Sequence, residues 1–265
     1  MLLRTLALLA ALPEQPPVCV VDNASTDGTA EAVRHRHRDV LLIDLPENIG
    51  AAARNVGAAA LDTPLVAFND DDSWWEPGAL ERAAKTFAQH PRLGLLAARV
   101  LVGPDEHVDP TCSRMAASPL PRNGAPGPAV LGFVACGAVV RRSAFLEAGG
   151  FEPRFHVGGE EHLLAVDLAA AGWDLAYVPA VRAQHRPAPS AEREDRPRRQ
   201  LRNDFWSAWL RRPAPAALKQ TAHLLSPRDR NTWSAFGAAV RGLPWVLRRR
   251  RVVPPAVERG IALLG

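Results

Sequence analysis

The sequence predicts an α/β fold, a mixed sheet covered by helices and followed by a helical C-terminal extension. Three observations carry that expectation. Short runs rich in valine and leucine alternate with amphipathic, alanine-rich stretches along residues 1–187, the pattern of strands interleaved with covering helices. Polar residues gather where three of those runs stop, as they do at the ligand-binding carboxyl edge of open α/β sheets. The charge balance then changes: residues 1–185 hold 15 Lys and Arg against 22 Asp and Glu, whereas residues 186–265 hold 17 against 6. The net charge of +4 therefore combines an acidic unit, residues 1–187, with a basic one, residues 188–265.

Leu2, Leu6, Leu9 and Leu12 fall on one helical stripe that Pro13 ends. Arg4 ahead of a leucine-rich stretch also has the outline of a signal peptide, but the stripe makes a domain helix the better account. VCVVDN (18–23) is a strand, and Ser25 or Asp27 can cap a helix running through Arg38. VLLID (40–44) is the next strand, ENIGAAARNVGAAAL a helix, and LVAF (65–68) a third strand. Pro77 takes the favoured first position of a helix with Leu80, Ala83, Ala84, Phe87 and Ala88 on one face. LGLLAARVLV (93–102) is a strand, and residues 104–128, with six prolines, are a long loop. GFVACGAVV (132–140) is a strand, a short helix stops at Gly149 and Gly150, Glu160–Ala171 is a helix, and DLAYVPAV is the last strand.

With 265 residues, 47% hydrophobic and 23% charged, the chain has the makeup of one large globular domain or a domain with an appendage. Cys19, Cys112 and Cys136 show no CxxC spacing and leave an odd thiol, which points to a reducing compartment, the cytoplasm. No apolar run approaches the roughly 18 residues that span a bilayer. The absence of GxGxxG, GxxxxGK[ST] and HExxH excludes the common dinucleotide, P-loop and zincin designs.

LVAFNDDDSWWEP (65–77) is hard to explain as packing. Asp70, Asp71 and Asp72 stand where a core strand ends, and like charges this close repel unless a cation or hydrogen-bond donors sit among them. An acidic helix start would favour the helix dipole, but one carboxylate serves that purpose.

VVDNASTDGTAEAV, ENIGAAARNVG, FNDDDSWWEPGAL and GGFEPRFHVGGEEHLLAVDLAAAGW, in that order, together resemble the family 2 glycosyltransferases of the GT-A fold. The resemblance covers roughly residues 1–187. It implies a Rossmann-like mixed sheet and transfer of a hexosyl or deoxyhexosyl group from a nucleotide-diphosphate sugar to an acceptor hydroxyl, with inversion. The acceptor would be a glycan or lipid-linked glycan, as in building a cell-envelope polysaccharide. Asp70 and Asp72 occupy the DxD positions and would hold Mg2+ or Mn2+. Asp71 is expected to point away from them if the segment stays extended. Asp22 matches the residue that reads the nucleobase and Arg54 the arginine on the donor's base or phosphate side, while Asn48 and Gly50 shape the turn between them. The family's Glu-Asp pair is replaced by Glu160 and Glu161, with Glu161 on the position of the general base; which glutamate acts stays open. His185 resembles a late histidine that helps hold the metal or diphosphate, and Trp74 and Trp75 offer a stacking surface for a sugar or core packing.

Residues 190–203 read as a polar linker, and FWSAWLRRP, ALKQTAHLL and the stretch from Trp233 to Arg251 as helices mixing Trp, Leu and Arg. Such helices suit an anionic membrane surface, placing the protein at the inner face of the membrane; an appendage packed on the catalytic unit fits equally well. Nucleic acid is the weakest partner, with no recognised motif. A nucleotidyltransferase-like enzyme and a catalytically degenerate membrane-associated protein are the alternative functions. Relatives carry an inner strand before the helix that resembles LLRTLALLAAL, and Met1 stands at the start of that helix. The resemblance therefore implies a missing first strand, with Met1 internal to the true reading frame or a chain that is poorly stable and binds donor weakly.

Overall fold

The computed structural model describes residues 1–187 and 195–265. Its sheet is organised on β5 (Leu93–Val102), which is buried along almost its whole length. A strand covered on both faces reads as a near-continuous apolar run, and the sequence offers one broken by Arg99 alone. β5 pairs antiparallel with β7 (Ala138–Arg141) and parallel with β8 (Asp174–His185). Beyond them lie β3 (Leu65–Ala67) on β7 and β4 (Ser73–Trp75) on β8, giving the order β3-β7-β5-β8-β4, with β6 (His107–Val108) on the end of β5. Pro179 falls in the stretch of β8 skipped where the register shifts after Ala98, the place where a residue without an N–H does no harm to the ladder.

Alternate residues of β5 enter different cores. Leu95 and Ala97 face a cluster with Phe68, Phe145, Phe151, Leu164 and Leu168. Leu96 and Ala98 face another with Leu9, Leu12, Trp75, Ala83 and Phe87. Among the helices supplying these clusters are α1 (Leu2–Ala10), α4 (Ala79–Gln89), α6 (Arg142–Glu147) and α7 (Glu160–Ala170).

β1 (Cys19–Asp22) and β2 (Leu41–Asp44) form a separate parallel pair, flanked by α2 (Thr29–Arg36) and by α3 (Ala53–Ala60) with a 3-10 turn at Gly50–Ala52 before it. Among the described residues, β1 has β2 as its sole ladder partner and β3 has β7.

Several local expectations are corrected. The 104–128 loop contains β6 and α5 (Pro110–Ala116), whose start is capped by the Asp109 carboxylate accepting from the Thr111 N–H at 2.7 Å. In the 132–140 segment only Ala138 onward is strand, because Ala135–Gly137 turn as a 3-10 helix. The helix expected from Pro77 begins at Ala79 after Gly78 at φ +76°. Part of the expected linker, 190–194, lies outside the described residues, and the rest is mostly helical: α8 (Arg196–Arg211) starts there because its later turns bury Asn203, Phe205 and Trp206.

α8 is followed by α9 (Ala214–Leu224), α10 (Arg230–Arg249) and α11 (Pro255–Leu264). These helices share cores with the first unit. Phe155 and Leu163 pack with Phe205, Trp206, Leu210, Trp245 and Val246; Leu131 and Val166 pack with Val253 and Ile261. Within the C-terminal helices, Gly242 of α10 permits close approach to α8, since a Cβ there would lie 2.5 Å from the Trp206 ring. The Arg211 guanidinium pairs with Asp167 of α7, so the appendage docks through both apolar area and charge.

Candidate active site

The site lies at the strand ends, as open α/β sheets dictate. At the end of β1, buried Asp22 accepts a hydrogen bond from the Ser25 N–H at 2.9 Å. Asn23 beside it ties this turn to the next: its Oδ1 accepts from the Ile49 N–H at 2.8 Å and its Nδ2 donates to the Gly50 carbonyl at 3.1 Å. Asn48 Oδ1 accepts from the Gly50 N–H at 2.9 Å. Gly50 has φ +63°, and a Cβ on it would sit 2.4 Å from the His156 carbonyl oxygen; that carbonyl accepts from the Ala51 N–H at 2.7 Å. Only glycine satisfies both the backbone angle and the contact. Asn23, Asn48 and the His156 carbonyl are thus joined by hydrogen bonds through the Ile49–Ala51 turn, with Asp22 the chain neighbour of Asn23.

The three aspartates form a tight turn between β3 and β4, not an extended segment. The Asp70 N–H donates to Ser73 Oγ at 2.7 Å, and Asn69 Nδ2 donates to the Ser73 carbonyl at 2.8 Å. This turn, and not strand alternation, separates the carboxylates. Asp70 pairs with Arg54 of α3. Asp72 is buried and meets His185 Nε2 at 3.2 Å, because β4 and β8 pair Ser73 with His185. Asp71 is exposed, with its carbonyl accepting from the Thr5 hydroxyl at 2.7 Å; partial burial and the charges of Asp72 and Asp70 hold its carboxyl above the usual range.

Sequence reasoning missed Cys136. Asp70, Cys136 and His185 offer ligand atoms that all lie within 4.8 Å of one another. Nothing in the cysteine's spacing announces this, because the pairing of β3 with β7 and of β5 with β8 creates the proximity. Burial and the Asp70 charge push the Cys136 thiol well above its ordinary value, so without a cation it stays a neutral thiol.

Glu160 and Glu161 open α7 after Gly158 and Gly159, both at positive φ. Glu160 is buried, with one carboxylate oxygen that has no hydrogen-bond partner among the described residues. Burial raises its pKa. Glu161 keeps some surface, yet the surrounding protein desolvates it and Glu160 repels it, lifting its pKa to about 7. Burial works against the charge of Arg54, but the field of Asp70, joined by those of Glu161 and Glu160, outweighs it and holds the guanidinium ionised. Arg54 thereby stands between the acidic turn and the paired glutamates. Its buried Nε has no hydrogen-bond partner among the described residues.

Trp75 is buried in the core, whereas Trp74 keeps a partly exposed ring with the Arg4 and Arg186 guanidinium groups 5.8 and 5.9 Å from its centroid. The structure brings Arg54, Asp70, Asp72 and His185 into one cluster and places Asp22 and Asn48 on the neighbouring turn.

This architecture is that of a GT-A glycosyltransferase. The structure superposes on a mannosyltransferase from Pyrobaculum calidifontis in complex with GDP-Man and Mn2+ (TM-score 0.60, 21% identity, 98% of this chain and 70% of that one). It also superposes on S. aureus TarS 1-349 in complex with UDP (TM-score 0.57, 16% identity), of which it spans 60% while 84% of this chain is covered. The chain belongs to glycosyl transferase family 2, whose model matches residues 1–149, and it transfers sugar from a nucleotide-sugar donor. It is 29% identical over 227 residues to the N-acetylglucosaminyl-diphospho-decaprenol L-rhamnosyltransferase of Mycobacterium tuberculosis, covering 72% of this chain and 73% of that protein. It is 34% identical over 155 residues to the pre-mycofactocin glycosyltransferase of the same organism, covering 56% of this chain and 33% of that protein. Among the described residues no helix is long and apolar enough to cross a membrane.

Proposed function

We propose that this chain transfers a hexosyl or deoxyhexosyl group, with inversion, from a nucleotide-diphosphate donor to a hydroxyl of a lipid-linked glycan. The observation that carries the reading is a carboxyl held at about 7, Glu161, on the same rim as the Asp70–Arg54 pair. A base with its pKa near the working pH is the efficient one. Glu161 accepts the proton of the acceptor hydroxyl as that oxygen attacks the anomeric carbon from the face opposite the diphosphate. The carbon–oxygen bond to the diphosphate breaks, and the configuration inverts. Buried Glu160 keeps its neighbour's pKa raised, and Arg54 faces the charge that grows on the leaving group. Asp22 reads the nucleobase, and Asn48 holds the turn beside it.

Asp70, Asp72 and His185 would hold the divalent metal. Carboxylates with an imidazole suit Mn2+ better than Mg2+, and the bound ion supplies Lewis-acid stabilisation of the departing diphosphate. The mycobacterial rhamnosyltransferase supports a deoxyhexose donor and a prenyl-diphosphate acceptor.

Residues 1–187 form the catalytic unit in this reading, and residues 188–265 the unit that meets the acceptor and the cytoplasmic face of the membrane. Trp233, Val240 and Leu247 of α10 support that role, because they repeat every seven residues and are 52, 48 and 52% exposed. Arg248 and Arg249 beside them suit anionic headgroups.

The test is incubation with a panel of nucleotide-diphosphate sugars, Mn2+ and a prenyl-diphospho-N-acetylglucosamine acceptor. Transfer from one donor supports the reading; pyrophosphate-forming chemistry, or no reaction across the panel, overturns it.

A further inference from the structure

A second charged site stands apart from the acidic rim. Between α8 and α10 lies a pocket of about 260 Å³ lined by Arg198, Arg199, Arg202 and Arg241, with Asp195 as its one carboxylate among the described residues. Ala235 and Ala238 of α10 leave the space open. Four guanidinium groups against one described carboxylate leave a net positive field for an anion to meet. Burial and the charges of Arg199 and Arg198 together lower the Arg202 pKa.

The partners of these arginines show how the pocket is held. Arg202 donates to the Arg154 and Phe155 carbonyls at 3.2 and 3.1 Å, and Arg199 Nη1 lies 3.2 Å from His156 Nδ1. These two are fixed against the segment that leads into Glu160. Arg198 has two 3.4 Å contacts, to Ser234 Oγ and Asp195. Arg241 is exposed and has no hydrogen-bond or ion-pair partner among the described residues. Two anchored guanidinium groups and two available ones form a phosphate-type receptor.

We propose that this pocket binds the diphosphate of a lipid-linked acceptor. The inference rests on the proposed function for the ligand's identity and on the pocket for its charge. The donor's own diphosphate has its groups at Arg54 and Asp70, whereas this pocket is built by α8 and α10 behind residues 154–159. Arg241 directly follows Val240, a member of the exposed apolar stripe. α10 thus carries both an anion-facing side and, on a different side of the same helix, an exposed apolar stripe, a pairing that an amphiphile can use and a free nucleotide cannot. The buried Asn203 side chain transmits the position of α8 to the catalytic segment, donating to the Phe155 and Gly158 carbonyls at 2.9 and 2.5 Å.

The test uses the full chain and the double variant Arg198→Gln/Arg241→Gln, which spares the two anchored arginines, with a circular dichroism melt to confirm folding. Two acceptors carry the same sugar, one on a prenyl diphosphate and one on an uncharged octyl group. Loss of charge-assisted contacts predicts a rise of about tenfold in KM per arginine, about a hundredfold in all, for the diphosphate acceptor. KM for the octyl acceptor and for the donor should stay put. An unchanged KM for the diphosphate acceptor, or an equal rise for both acceptors, overturns the proposal. If the wild type transfers to neither acceptor, the functional reading has failed and the pocket is judged separately by calorimetry with inorganic pyrophosphate in EDTA. Binding by the wild type that the double variant loses then supports an anion site; no binding by the wild type overturns it.

Discussion

Replacing Glu161 with Gln should make the protein more stable and inactive together. The carboxyl is held at about 7 against an ordinary 4.5, chiefly by burial and then by the charge of Glu160. A raised carboxyl pKa means that the fold disfavours the ionised form. The penalty is absent below the unfolded pKa, grows between pH 4.5 and 7, and is complete above 7. Relative to the glutamine variant, the wild type loses about 1 kcal/mol at pH 5 and about 3 kcal/mol at pH 8. Any fixed cost of burying the amide is the same at both values, so the difference between them, about 2 kcal/mol, is the quantity to measure. For a chain of this size that is a widening of roughly 4–8 °C in the gap between the two melting temperatures. Thermal melts of both proteins at pH 5 and pH 8, beside transfer assays, test it. The wild type should gain kcat/KM as pH rises through about 7, and the variant should bind donor without transfer at every pH. A melting gap that does not change with pH would refute the desolvated-carboxyl argument. Full loss of transfer in Glu160→Gln with activity kept in Glu161→Gln would move the base by one residue.

Asp72→Asn should lower turnover by about 100-fold or more with the fold intact, since it removes the charge opposite His185; full activity in excess EDTA would contradict the metal assignment. Gly50→Ala combines a left-handed backbone angle with a Cβ 2.4 Å from the His156 carbonyl, and should cost about 2–4 kcal/mol and raise the donor KM; an unchanged melting temperature and KM would show that the turn yields freely. Trp233→Ser with Leu247→Ser should reduce cosedimentation with anionic vesicles, and salt should weaken binding of the wild type; equal sedimentation of both proteins would reject a membrane role for α10.

What the sequence made legible follows from how many constraints are local. Leu93–Val102 is read correctly because both faces of β5 are buried and its apolar residues are interrupted by one charged residue, Arg99. The acidic turn is legible because three adjacent carboxylates are locally unfavourable and demand a reason. β4 is not legible: Ser73–Trp75 is three residues long and is a strand because β8, more than a hundred residues later, pairs with it. Cys136 joins Asp70 and His185 by the same kind of distant pairing. The start of α8 reads as a linker because its arginines and prolines look solvated, and the burial that stabilises it begins at Asn203. The arginine pocket is hidden because its members sit on two helices and face each other through tertiary packing.

The stereochemistry of transfer tests the central claim most directly. A nucleotide-diphosphate sugar of known anomeric configuration, the full chain, Mn2+ and a prenyl-diphospho-N-acetylglucosamine acceptor should yield a glycoside whose anomeric proton and carbon couplings report the opposite configuration. That result is what a single displacement with Glu161 as base requires. A product that keeps the donor's configuration would contradict the account.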